Sequence, residues 1–324
     1  MPASAKLFAK ISRSEFLLPN LGSLIMGLAW GVNPPLEPVS GITLVILSFL
    51  VINLSSIIGA QANTLYDYTL DLNDERKKEL VQALDAFGHK RVRDIMIIEI
   101  CTTLVMVSAL ALFQQKPILL ALWIVGISLG IAFSAPPFRL KARFWIGPIS
   151  QMLVLAVFPV LFAYYAFTFE INAYFLMALI GLSLTVYGVI VPTEIRDYFG
   201  DRAMGIQTLT VRLGLSRAAL MGIFLLSSGA TLMGIALVLE WSLHQLFVFG
   251  VSVLAIPIVA VFVLSKFHKL HLLTREYEKA DSQDSLALEA KITGLSSENP
   301  KWIVLVTQTY SILSIMLLLT KFIF

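Results

Sequence analysis

The amino-acid sequence predicts an all-α, polytopic membrane protein, in which nine transmembrane helices form a single domain over residues 1–324. Hydrophobic residues make up 57% of the chain and charged residues only 14%, whereas soluble proteins contain roughly 45–50% and about 25%. The apolar residues also form long uncharged runs, such as Gly41–Tyr66 and Phe144–Phe169. Because about 20 apolar helical residues cross a bilayer core, runs of this length predict membrane spans.

Nine segments have the length and hydropathy of a membrane-spanning helix. In chain order they cover residues 16–36, 42–66, 95–114, 117–135, 145–168, 172–192, 218–239, 244–265 and 302–323. The first is interrupted by Pro19, Pro34 and Pro35, and the third contains Glu99, so these two segments are the weakest. A net charge of +3 spread over short loops forms no basic stripe, which argues against nucleic acid as a partner.

The basic residues predict the orientation of the bundle. With nine spans, 22 of the 24 lysines and arginines fall on the side of the N-terminus, and only Lys116 and Lys321 fall on the other side. Cytoplasmic loops carry such an excess of basic residues. We therefore expect a cell (plasma) membrane protein with a cytoplasmic N-terminus, cytoplasmic active-site loops and an outside C-terminus.

Acidic residues gather at the inner ends of two spans. Asn63, Asp67 and Asp71 are spaced by four residues, and Glu194, Asp197 and Asp201 by three and four. Either spacing places the side chains on one helix face, where like charges repel unless a cation lies among them. Mg²⁺ prefers carboxylate and phosphate oxygens, so the pattern predicts two Mg²⁺ ions and a bound diphosphate. The alternative interpretation is that these acids are only solvated residues at helix ends.

Matching stretches in three loops make the chain resemble the UbiA superfamily of intramembrane prenyltransferases. Asn63, Asp67 and Asp71 are similar to its motif N-D-x-x-D-x-x-x-D, except that Thr64 replaces the second acid, and Asp197 and Asp201 are similar to its D-x-x-x-D motif. The family's stretches after the fourth and sixth helices resemble the segments Phe133-Ser-Ala-Pro-Pro-Phe-Arg-Leu-Lys141 and Gly200-Asp-Arg-Ala-Met-Gly-Ile-Gln-Thr-Leu-Thr-Val-Arg-Leu-Gly214.

The resemblance implies Mg²⁺-dependent transfer of an isoprenoid chain from a prenyl diphosphate to a lipophilic acceptor, either an aromatic or quinone precursor or a glycerol-phosphate ether lipid. The implied catalytic residues are Asp67, Asp71, Asp197 and Asp201. The expected metal ligands are these four residues and Glu194, which lies one turn before Asp197.

The expected substrate-binding residues are polar or basic and lie near the same helix ends or in the first span. They are Asn63, Lys77, Arg139, Lys141, Arg202 and, for the acceptor, Asn20. For the basic residues among them, the positive charge of cytoplasmic loops is a sufficient alternative explanation. For Asn20 the alternative is a hydrogen bond to a neighbouring helix.

Two other functions remain open from the sequence. A terpene cyclase of the same family ionises the diphosphate without a second substrate. A secondary transporter uses carboxylates to bind cations, although such sites lie near the bilayer midplane and the acids here lie at span ends.

The charge distribution predicts a labelling pattern from outside the cell. In a Cys101→Ser background, an impermeant thiol reagent should modify a cysteine placed at Glu170 or Glu240 and spare one placed at Lys90 or Arg212. Modification at Lys90 from outside would reverse the predicted orientation.

Overall fold

The structure, a computed structural model, describes residues 3–14, 17–33, 38–72, 74, 77–240 and 246–323. Within these ranges the chain is helical and contains no strand, which confirms the predicted all-α class. The α-helices, in chain order, are α1 (Ala3–Ile11), α2 (Leu17–Gly31), α3 (Pro38–Tyr66), α4 (Tyr68–Asp71), α5 (Lys78–Phe87), α6 (His89–Phe113), α7 (Pro117–Ser134), α8 (Ile146–Met152), α9 (Phe158–Phe167), α10 (Ala173–Ala203), α11 (Leu209–Leu213), α12 (Leu215–Glu240), α13 (Leu246–Tyr277), α14 (Ser282–Ser296) and α15 (Asn299–Ile323).

Eight helical segments of the described chain are long and apolar enough to cross a membrane. They are Ser40–Tyr66, His89–Phe113, Pro117–Ser134, Ile146–Phe167, Ala173–Ala203, Leu215–Glu240, Leu254–Tyr277 and Asp284–Phe322. The first predicted span, 16–36, contains the shorter apolar helix Leu21–Gly31, and residues 34–37 lie outside the described ranges. The protein is therefore an integral membrane protein, while the count of nine spans and their orientation remain predictions.

Several helices extend beyond their predicted bounds. The sixth span, expected over 172–192, belongs to a helix that continues to Ala203, and the eighth, expected over 244–265, continues to Tyr277. Hydropathy marks only the apolar part of a helix. The helix itself can continue through polar residues that have good helix propensity. The longer α10 places the second acidic cluster on a continuous helix.

The chain forms two compact units, each with its own packing. The first comprises Met1–Lys141 and Phe158–Phe169. Within it, α3 packs against α2, α6, α7 and α9, and α2 packs closely against α9. Ile58 and Ala62 of α3 are buried against Met96 of α6.

Two amphipathic helices, α1 and α5, pack against each other within the first unit. Their apolar residues join a buried cluster that includes Ile11, Leu84 and Phe87, and Lys10 forms an ion pair with Glu79 on the surface. Helix α5 begins directly after Lys77. Packing between the two helices therefore supports the position of Lys77.

The second unit comprises Ala142–Val157 and Glu170–Phe324, and its largest contact joins α10 with α12. Small residues at a helix interface let two backbones approach closely, which is how membrane helices gain packing energy. A β-carbon added at Gly229 of α12 would lie 2.6 Å from the carbonyl oxygen of Gly181 and 2.7 Å from the backbone nitrogen of Thr185. The α10–α12 spacing therefore depends on glycine at this position.

We predict that Gly229→Ala destabilises the protein by about 1–3 kcal/mol, because two of the three nearest atoms, the carbonyl oxygen of Gly181 and the backbone nitrogen of Thr185, belong to the backbone and cannot rotate away. The matched control is Gly234→Ala in the same helix, where an added β-carbon meets no atom within 4 Å. The control should leave stability unchanged or slightly raised. Thermal unfolding in detergent micelles measures both variants, and equal melting temperatures would contradict the close contact.

Candidate active site

The first acidic cluster lies where α3 gives way to the single turn α4. The backbone N–H of Asp67 donates to the carbonyl of Asn63 at 2.9 Å, and that of Asp71 donates to the carbonyl of Asp67 at 2.8 Å. The helical bonding pattern thus continues through the junction and keeps Asp67 and Asp71 one turn apart. Both side chains are buried, with 2% of each residue exposed.

Three basic residues surround these two carboxylates. Lys77 Nζ lies 2.6 Å from Asp71 Oδ1, and Lys141 forms an ion pair with Asp67. Arg139 Nη2 lies 3.8 Å from Asp67 Oδ1. The fold thereby assembles five of the residues selected from the sequence, although Lys141 is more than 70 positions from Asp67.

The electrostatics of this cluster favour an anion. Burial lowers the pKa of Lys141, the nearby charges of Lys77 and Arg139 lower it further, and Asp67 opposes the shift. Three basic groups against two carboxylates leave an excess positive charge, and lysine and arginine bind phosphate through charge-assisted hydrogen bonds. The cluster is therefore suited to receive phosphate oxygens.

The same cluster fits a magnesium ion. The Oδ2 atom of Asp71 is buried and has no hydrogen-bond partner among the described residues, and such an atom is stabilised by a cation. In the part of the chain that the structure describes, no three Asp, Glu, His or Cys side chains lie together as a complete metal site. Mg²⁺ commonly takes only one or two carboxylates and completes its shell with substrate phosphates and water.

Ser134 also belongs to the first cluster, although sequence reasoning did not select it. Its Oγ donates to Asp67 Oδ2 at 3.4 Å. Ser134 lies in the stretch Phe133–Lys141, and its place in that motif was the sequence signal that could have identified it. A serine at the end of a membrane helix is a weak cue, because such hydroxyls commonly bond their own helix backbone.

The second acidic cluster lies on the last turns of α10 and is tied to α11. Both carboxylate oxygens of Glu194 accept hydrogen bonds, one from Tyr187 Oη at 3.0 Å and one from Thr210 Oγ1 at 2.8 Å. Glu194 therefore fastens α11 to α10. The sequence did not predict these two hydrogen bonds, although Tyr187 precedes Glu194 by two helical turns and so shares its face.

Asp197 and Asp201 follow Glu194 on the same helix, with the spacing read from the sequence. Arg196 Nε donates to Asp197 Oδ1 at 3.0 Å. The carbonyl of Asp201 accepts the N–H of Ile206 at 2.9 Å. Asp201 thus sits at the turn that closes α10.

Three other residues were predicted to bind substrate, and the structure describes two of their side chains. Arg202 is exposed, and its Nη1 donates to Tyr198 Oη at 3.0 Å. Asn63 is half-buried one turn before Asp67. The side chain of Asn20 lies outside the described residues.

Thr64 occupies the position where the resembled motif has an acid. Its Oγ1 donates to the carbonyls of Ala60 at 3.0 Å and Ile11 at 3.2 Å. A carboxylate at this buried position would meet carbonyl oxygens, which repel it. The hydrogen bond of Thr64 to Ile11 joins α3 to α1, and this role explains why the position holds threonine and not an acid.

Comparison with known proteins gives one family and a consistent fold. A family model described as the UbiA prenyltransferase family matches residues 17–277. A search of curated proteins found no significant match.

Two solved structures show the similarity of fold. A UbiA homologue from Archaeoglobus fulgidus bound to GPP and Mg²⁺ is 16% identical, with a TM-score of 0.61 over 93% of this chain and 99% of that chain. A structure of digeranylgeranylglyceryl phosphate synthase is also 16% identical, with a TM-score of 0.61 over 96% of this chain and 99% of that chain.

Proposed function

Because the chain belongs to the UbiA prenyltransferase family, we propose that it transfers an isoprenoid chain from a prenyl diphosphate to a lipophilic acceptor and requires Mg²⁺. The observation that carries the proposal is the first acidic cluster. It combines two buried carboxylates, three basic side chains and one buried carboxylate oxygen without a hydrogen-bond partner among the described residues. This combination suits a diphosphate that arrives with its metal ions.

In this proposal the basic residues of the first cluster hold the leaving group. Lys77, Arg139 and Lys141 exchange their ion pairs with Asp67 and Asp71 for hydrogen bonds to diphosphate oxygens, which releases the carboxylates as metal ligands. Asn63, one turn before Asp67, adds an amide to the substrate site. When bound, Mg²⁺ supplies Lewis-acid stabilisation of the charge that develops on the departing diphosphate.

We further propose that Asp197 and Asp201 serve as ligands from the second cluster, with Arg202 binding substrate. Glu194 as a fifth ligand remains a prediction that competes with its hydrogen bonds from Tyr187 and Thr210. A site with two Mg²⁺ ions and an acceptor contact at Asn20 also remain predictions from the sequence.

The proposed setting is the cell membrane, with the N-terminus and the acidic clusters on the cytoplasmic side. An apolar prenyl tail and a lipophilic acceptor partition into the bilayer, so an enzyme built from apolar helices meets both substrates where they concentrate. The acceptor is an aromatic or quinone precursor or a glycerol-phosphate ether lipid.

We predict that Asp67→Asn, Asp71→Asn, Asp197→Asn and Asp201→Asn each lower kcat by about 100-fold or more, the range seen when a group that stabilises transition-state charge is removed. The assay is Mg²⁺-dependent release of diphosphate from geranyl diphosphate, and EDTA should abolish it. Asparagine keeps the side-chain volume while removing the charge.

The matched control is Asp94→Asn, since Asp94 is an exposed aspartate of α6 outside both clusters. It should retain wild-type turnover. Near-normal activity of either Asp67→Asn or Asp201→Asn would remove that cluster from the proposed mechanism.

A second prediction separates transfer from cyclisation. With Mg²⁺ and geranyl diphosphate, purified protein should release diphosphate rapidly only after an acceptor is added, because the allylic cation needs a nucleophile. Parallel reactions with an aromatic acid and with a glycerol-phosphate ether lipid identify the acceptor class. Acceptor-independent release with a cyclic hydrocarbon product would instead establish a terpene cyclase.

A further inference from the structure

We propose that Tyr68 and Asp85 form a positioning pair that holds Asp67 and Asp71 in place from outside the active site. This inference rests on the proposed function, because it assigns a role in that reaction to residues that touch neither the diphosphate nor the metal. The element that carries the two carboxylates needs such support because it is short.

Helix α4 is a single turn beyond the end of α3 and adds little stability of its own. It comprises only Tyr68–Asp71, and a single helical turn fixes several dihedral angles for very few hydrogen bonds. Asp67 and Asp71 also lie close to Lys77 and Lys141, so substrate binding changes the forces on this turn. A fixed geometry therefore needs an anchor that stays in place when those ion pairs exchange.

Tyr68 provides such an anchor. Its Oη donates to Asp85 Oδ1 at 2.9 Å, and its ring meets the ring of His89 edge-on, with centroids 4.5 Å apart. His89 Nε2 lies 3.3 Å from the same Asp85 oxygen. These contacts connect α4 with the last turn of α5 and the first turn of α6.

The elements that receive this anchor are well supported. Helix α5 buries Val81, Leu84 and Phe87, and Leu84 and Phe87 pack with Ile11 of α1 in one cluster. Asp85 thus projects from a packed helix. Successive helical residues differ by about 100° in direction, so Tyr68 reaches α5 while its neighbour Asp67 faces the basic residues.

The pair is too exposed to matter chiefly for global stability. The side chains of Asp85 and His89 are 49% and 44% exposed, and hydrogen bonds and ion pairs of exposed groups contribute little to folding. Their value lies in fixing the neighbouring turn. Removing the pair should thus alter catalysis much more than melting temperature.

The test compares Tyr68→Phe, Asp85→Ala and the double variant. We expect each single variant to lower kcat about tenfold and to raise the Mg²⁺ concentration needed for half-maximal rate, because catalytic groups that are modestly misplaced lose rate. The melting temperature should not change. The double variant should be no worse than the stronger single variant, because both changes break one bond.

Conservative and control variants sharpen the comparison. Asp85→Asn retains an acceptor oxygen for Tyr68 and should stay within about twofold of wild type. Glu79→Ala removes another acid of α5, one that pairs with Lys10 on the surface, and should leave kcat unchanged. Additive losses in the double variant, or an Asp85→Asn loss equal to that of Asp85→Ala, would overturn the proposal.

Hydrogen–deuterium exchange gives a readout that is independent of turnover. Exchange over residues 67–72 should rise in Tyr68→Phe and Asp85→Ala and not in Glu79→Ala. Unchanged exchange would overturn the positioning role even with an active wild-type enzyme. If the wild-type protein released no diphosphate while the exchange difference persisted, the proposed function would fail and the positioning of the turn would stand.

Discussion

The pairing of two buried carboxylates with three basic side chains constrains the rest of the first unit. Asp67 and Asp71 lie at the end of an apolar helix with almost no exposure to solvent, where a lone charge is strongly unfavourable. Lys77, Arg139 and Lys141 compensate this charge. The basic side chains remain 20–36% exposed, so these pairs are only partly buried, and they link the elements that carry the basic residues to the ends of α3 and α4.

Each neighbouring element contributes one part of this compensation. The end of α7 supplies Ser134, the short 3-10 turn Leu140–Ala142 carries Lys141, and α5 starts one residue after Lys77. The amphipathic helices α1 and α5 are packed on each other through apolar residues, which supports the position of Lys77 at the start of α5. The cluster is thus held by contacts on several sides.

The bilayer imposes a second constraint, which explains the contrast between the helix surfaces. Many large apolar side chains are exposed on the outer faces, among them Ile98, Val105 and Phe224, and lipid is the environment in which such faces are stable. Because lipid removes the hydrophobic drive for helix association, tight packing must come from small residues. Gly181, Gly188 and Gly229 provide this where α10 meets α12.

The sequence by itself determined the all-α membrane class, most of the spans, and the spacing that aligns Asn63, Asp67 and Asp71 on one face and Glu194, Asp197 and Asp201 on another. These features follow from composition and helical periodicity, which are local. Only the tertiary structure decided that Lys141 pairs with Asp67, that Tyr187 and Thr210 occupy the oxygens of Glu194, and that Thr64 joins α3 to α1. The reason is physical: periodicity fixes the direction in which a side chain points, whereas its partners depend on how helices distant in sequence pack together.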